Sequence, residues 1–256
     1  MKYITDPGPW LQYRSKPGNE KLSLHEATQQ YKQEQLFHDL QNNQAMYASM
    51  HAGKVKVKQF SNRNQLRIAA EEWAAFPFAT ERYYGHISTW DVSNITDFRA
   101  IFKNIHTMND DISSWDVSKG TTFQGMFASE TNSMTFNQDI SGWDISKATT
   151  IAGMFDGNPA FSQDISSWNP FSLSGFGGLL FMSGTGAGLT TENYNKLLVA
   201  WAAHGAAGEF NTAVRIHFGE STATDGGAGG NGATARTALR AAPATGASWV
   251  ITDGDS

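Results

Sequence analysis

The chain contains no cysteine. That excludes disulfides, thiolate nucleophiles and cysteine-ligated zinc, and it leaves no cysteine for the lipid anchor of surface lipoproteins. Cations are scarce as well: 19 Lys and Arg stand against 24 Asp and Glu, for a net charge of −5. Such a balance offers no broad basic face for phosphates, so no nucleic-acid partner is expected. No apolar run reaches the roughly 18 residues of a membrane span, so no membrane insertion is expected. Catalytic signatures are missing too. There is no G-x-S-x-G elbow and no H-E-x-x-H, and the seven histidines show no metal-ligand spacing.

What the chain does have is recurrence. Trp90-Asp91-Val92-Ser93 returns as Trp115-Asp116-Val117-Ser118 and Trp143-Asp144-Ile145-Ser146, then in degraded form as Trp168-Asn169-Pro170-Phe171. The tryptophans lie 25, 28 and 25 positions apart. A period of this size marks stacked supersecondary units, none able to bury its apolar face alone. Apolar rows run in phase with the indoles. Ile87, Ile112, Ile140 and Ile165 precede them, and Phe98, Phe123, Ile151 and Phe176 follow, then Phe102, Phe127, Phe155 and Leu180.

Polar and small positions recur as well. Thr96, Thr121, Thr149 and Ser174 suit caps of a short helix carrying the phenylalanines. Ala100, Gly125, Gly153 and Gly178 are small where one coil nears the next. The Ile-Ser-x-Trp-Asp-Val-Ser tract alternates apolar and polar residues, which predicts a strand. Each coil is expected to run strand, turn, short helix and return loop, with the longer middle interval bulging outward near Ser129–Met134. Pro170 marks the fourth copy as terminal. The expected class is an α/β solenoid of about four coils of 25–28 residues.

Tyr84-Gly85-His86-Ile87-Ser88-Thr89-Trp90-Asp91-Val92-Ser93 and Phe136-Asn137-Gln138-Asp139-Ile140-Ser141-Gly142-Trp143-Asp144-Ile145-Ser146 resemble the bacterial surface protein repeat of about 26 residues. This is the BspA-like, or mycoplasma/Listeria lipoprotein-type, repeat. Phe60 through Trp73 resembles its helical entry cap. Leu189–Tyr194 with Trp201, and Trp249–Gly254, resemble its exit cap. The resemblance implies a leucine-rich-repeat-like stack used for adhesion or protein contact, without catalytic residues; no cofactor is expected. The parse is therefore 1–55 arm and helix, 56–82 entry cap, 83–182 repeats and 183–256 exit cap with a Gly-rich loop.

The amino-terminal stretch shows no apolar h-region, so no secretory signal is visible. Assembly into a bacteriophage virion in the cytoplasm is one route outward for such a repeat. The aromatics Tyr3, Trp10 and Tyr13, set among Pro7, Pro9 and Pro17, read as a docking arm to other virion proteins. Ser23-Leu24-His25-Glu26 has capping-box spacing and opens an expected helix to about Met50.

Several patterns invite chemistry. Asp91, Asp116 and Asp144 follow the indoles, and Asp111, Asp139 and Asp164 precede them. Turn capping through backbone amides accounts for these residues, with a Ca²⁺ ladder as the alternative. Gly184–Gly188 lacks phosphate-loop spacing and reads as a connector. The indoles fit core packing better than sugar stacking, which leaves the ridge of Asp, Ser, Asn137, Gln138 and Gln163 as the recognition surface. The expected function is a non-enzymatic virion structural or accessory protein in an oligomeric assembly, touching host-surface protein or glycan. Alternatives are a bacterial cell-surface adhesin and, third, a tailspike-type polysaccharide depolymerase.

Overall fold

The apolar stripe Leu66, Ala69, Ala70 and Trp73 recurs at 3–4 spacing, and it forms the buried face of helix α1, Arg63–Ala75. Asn62 caps that helix by accepting from the Gln65 amide at 3.1 Å. Phe76 breaks the run, and Pro77 then opens α2, Pro77–Tyr84, at a position where its missing N–H costs nothing. A 3-10 turn, Ile87–Thr89, leads into the first repeat. The computed structural model describes residues 59–170, 172–206, 214–226, 229–241 and 250–255, within the compact unit Lys56–Ser256. The arm and helix expected at 1–55, with Tyr3, Trp10 and Tyr13, lie outside the described residues.

Successive repeats are joined by parallel backbone hydrogen bonds. The amides of Phe98, Ala100, Phe102 and Asn104 donate to the carbonyls of Thr122, Gln124, Met126 and Ala128 at 2.8–2.9 Å. One repeat later, Phe123, Gly125, Phe127 and Ser129 donate to Thr150, Ala152, Met154 and Asp156 at 2.7–3.0 Å. Ile151 and Gly157 continue the ladder onto Gly177 and Ser183. The ladder ends in a four-stranded parallel sheet of order β1-β2-β3-β4, formed by Phe155–Asp156, Gly175–Ser183, Val214–Phe218 and Val250–Thr252. Helices α3 (Thr191–Ala206) and α4 (Gly232–Arg240) supply the connections between its later strands.

This reverses the expected order within each coil. The segment predicted as a short helix carries the ladder, and the tract predicted as a strand is a series of turns. Two physical causes are visible. The small position of the row is left-handed, with φ of 54° at Ala100 and 60° at Gly125 and Gly153, which no helix interior accepts. In the other tract, aspartate side chains occupy the amides that a strand would pair. The hydroxyls expected as helix caps also act otherwise. Thr121 and Thr149 donate across coils to Thr96 O and Thr121 O, both at 3.0 Å.

The side chains stack as rows. Phe98 lies on Phe123 with ring centroids 5.0 Å apart, Phe102 on Phe127 at 5.5 Å, and Phe127 on Phe155 at 5.6 Å. Trp90 stacks on Trp115 at 6.2 Å. Five residues after the indole, Ile95, Ala148 and Leu173 are apolar but Gly120 has no side chain, because the Phe123 ring already fills that space, 2.4 Å from where a Cβ would sit. The fourth copy is out of phase: Phe155 pairs with Met182, and Leu180, expected in the Phe row, is 45% exposed. Leu180 itself takes the left-handed conformation, at φ 50°, so the bend has moved past Gly178 and carries Met182 into the core.

The ladder's first rung has no preceding repeat to pair with its carbonyls, and side chains from α1 take that role. Arg63 Nε donates to Arg99 O at 2.6 Å, and Arg67 donates to Ala100 O. This closes a sheet edge that would otherwise invite pairing with another chain. At the far end Tyr194 OH donates to the buried Asp253 carboxylate at 2.6 Å, and Arg236 bridges Asp253 and Asp255. That cluster fastens the chain following β4 to α3 and α4.

Candidate recognition surface

The four repeat indoles are buried, at most 3% exposed, which removes them as sugar-stacking platforms. Each Nε1–H reaches a backbone carbonyl earlier in the chain. Trp90 donates to Gly85 O (3.0 Å), Trp115 to Ile87 O (2.9 Å), Trp143 to Ile112 O (3.2 Å) and Trp168 to Ile140 O (3.0 Å). The isoleucine row therefore acts twice. Ile87, Ile112, Ile140 and Ile165 are fully buried, and the first three present their carbonyls to the next indole. Trp201 of α3 continues the series by donating to Trp168 O at 2.8 Å, a link no repeat count would reveal. Phe102, Phe127 and Phe155 occupy the core beneath.

The polar residues that share these tracts face outward as two rows of turns. Asp91, Asp116 and Asp144 each accept from the amide two residues on (Ser93, Ser118, Ser146) at 2.9–3.1 Å. Asp111, Asp139 and Asp164 do the same with Ser113, Ser141 and Ser166 at 2.9–3.0 Å. These are Asx turns, in which the carboxylate replaces a backbone acceptor. Hydrogen bonds from the serines hold Asp91, Asp111, Asp116 and Asp144 below the ordinary carboxylate value. At Asp164 burial pushes upward, but the Ser166 amide and hydroxyl together with Lys196 outweigh it, and the net shift is down.

Just before the row of Asp111, Asp139 and Asp164 runs an amide ridge that crosses from one repeat to the next. Asn109 Oδ1 accepts from the Asn137 amide at 2.9 Å, and Asn137 Oδ1 accepts from the Ser162 amide at 3.0 Å. Gln163 Nε2 adds bonds to Asn137 O and Oδ1, at 2.9 and 3.0 Å. Beside it lies an open groove of about 320 Å³ lined by Asp139, Ser141, Gly142, Gln163, Asp164 and Ser166. Gly142 is at its lip, and a Cβ there meets nothing within 4 Å. Among the described residues no three acidic or imidazole groups converge as metal ligands would. Each Asx carboxylate is instead committed to its own turn.

The ladder's outer face carries a second groove, about 560 Å³, with Ala100, Gly125, Ala152 and Gly153 as its floor. Its charged rim is internally paired: Arg99 with Asp97 and Lys103 with Glu130, at 2.7 and 2.8 Å. The inserted stretch Ser129–Met134 is a surface loop only in part. Glu130, Thr131 and Ser133 are exposed, whereas Met134 is buried in the core. Among the described residues no helix is long and apolar enough to cross a membrane.

These features define a class of protein in which short coils are sewn together by indole and backbone bonds and present polar turns outward. The family model described as Mycoplasma protein of unknown function, DUF285, matches residues 73–179. The matched stretch runs from Trp73 in α1 into β2 and fits the bacterial surface repeat family that the Trp-Asp-Val-Ser motif resembles. No curated protein and no solved structure matches the chain.

Proposed function

We propose that the repeats form a leucine-rich-repeat-like solenoid that acts by binding, with the Asx-turn ridge as its contact surface. The observation that carries this reading is the division of labour in each tract. Apolar and indole groups turn inward, while Asp, Ser, Asn and Gln are held outward at fixed intervals. A rigid array of regularly spaced polar groups suits an extended partner such as an envelope protein or glycan. Carboxylates already engaged in turns are poor candidates for acid–base work, which weighs against the depolymerase reading.

Two carriers remain for such a module. One is a virion, docked through residues 1–55. The other is the bacterial cell surface, the setting that the resemblance to the surface protein repeat implies.

The test uses Gly142. Gly142→Trp fills the ridge groove without touching the fold, since no neighbour lies within 4 Å of the new Cβ. The unaltered chain should bind isolated bacterial envelopes, and G142W should lose that binding while keeping its unfolding midpoint. Equal binding by both chains, or release of reducing ends from envelope polysaccharide, would overturn the proposal.

A further inference from the structure

The entry-cap helices carry a knob and a hole side by side. Phe78, on α2, is 81% exposed, an unusual state for an aromatic ring on a helix of a folded unit. Arg82 stands one turn along the same face, at i+4, also exposed. Among the described residues Arg82 makes no ion pair.

Next to them is a cleft of about 190 Å³ whose walls are Ala70, Trp73, Ala74, Pro77, Ile105 and Met108. Asp110 stands at its margin. One carboxylate oxygen of Asp110 accepts from Trp73 Nε1 at 3.1 Å, and its other oxygen has no partner among the described residues. An apolar cavity of about 150 Å³ accommodates benzene, so this cleft has room for a phenyl ring.

We propose that this face is a self-docking surface. Phe78 of one copy enters the cleft of a second copy, Arg82 meets the second copy's Asp110, and the same two contacts are made in return. Ring matches hole in size and guanidinium matches carboxylate in sign. Because both halves lie on one patch, a two-fold axis satisfies all four contacts at once. Aromatic and arginine anchors are the residues that dominate such interfaces. The contact does not use the polar ridge, so it stands or falls separately from the binding function proposed above.

Sedimentation of the full chain across a concentration series is the test. The unaltered chain should pass from monomer to dimer. Phe78→Ser should weaken that association about a hundredfold or more, because the symmetric dimer loses both buried phenyl rings. Arg82→Asp should weaken it as well, and more so at low salt. Ala74→Phe should block it by filling the cleft.

The decisive mixture combines F78S, which keeps the hole, with A74F, which keeps the knob. Neither should pair alone, but together they should form a mixed dimer through the one intact contact. A chain that stays monomeric at every concentration overturns the proposal. So does dimerisation by F78S as strong as that of the unaltered chain, or a mixture that associates no better than its components.

Discussion

At the scale of single residues, the structure turns on what aspartate and tryptophan do with their polar atoms. Each repeat indole is buried and spends its one donor on a carbonyl of a neighbouring segment. Trp143→Phe keeps most of the ring but leaves a void beside the Ile112 carbonyl, which then holds only its bond from the Trp115 amide. We expect a loss of about 2–4 kcal/mol, read from urea unfolding midpoints. The aspartates act through their turns. Asp91, Asp111, Asp116 and Asp144 have folded-state pKa values below the unfolded ones, chiefly because serine donors stabilise the carboxylate. Their contribution is therefore present above the unfolded pKa and disappears as pH falls through the folded values. Midpoints should hold steady from neutral pH to about 4.5 and drop below about 4. The D116N/D144N chain should show a smaller drop, because an asparagine oxygen still accepts from the turn amide and does not titrate.

At the scale of the element, the in-phase rows of Trp, Ile and Phe were legible in the sequence because burial repeats with the chain's own period. The type of secondary structure was not. Alternation in Ile-Ser-x-Trp-Asp-Val-Ser does describe which side chains go inward, as Ile87, Trp90 and Val92 show. Alternation cannot tell that Asp91 will claim the Ser93 amide. The small residue at Ala100, Gly125 and Gly153 was recognised as small, but its left-handed backbone was not, and that bend is what turns a would-be helix into a ladder segment. Replacing the alanine tests this. Ala100→Gly should stabilise by about 0.5–1 kcal/mol, since relief of a left-handed Cβ outweighs the added chain entropy. Gly153→Ala should destabilise by about 1 kcal/mol, and denaturant titration reads both. The edge arginines and the Tyr194–Asp253–Arg236 cluster escaped notice because each joins residues far apart in sequence with no recurrence to betray them. In the fourth copy, Pro170 did announce irregularity, but the placement of Met182 rather than Leu180 required the β1–β2 register.

At the scale of the whole unit, each repeat bonds to the one before and the one after, so stability is expected to be a sum over neighbours. Removing one complete period should preserve every row. Deleting Asp116 through Trp143, the 28 residues of the middle interval, joins Trp115 directly to Asp144 and restores the motif. That chain should fold cooperatively, with near-UV circular dichroism retained and a lower midpoint. Deleting half as many residues from the same place should abolish folding, because it sets indoles against polar positions.

The indole bonds also have a direction. In each pair the accepting carbonyl (Gly85, Ile87, Ile112, Ile140, Trp168) comes earlier in the chain than the tryptophan that finds it. A polypeptide leaving the ribosome amino end first thus always exposes the socket before the plug. Each new indole finds its acceptor already made, while the ladder amides of the earlier repeat pair only when the next one arrives.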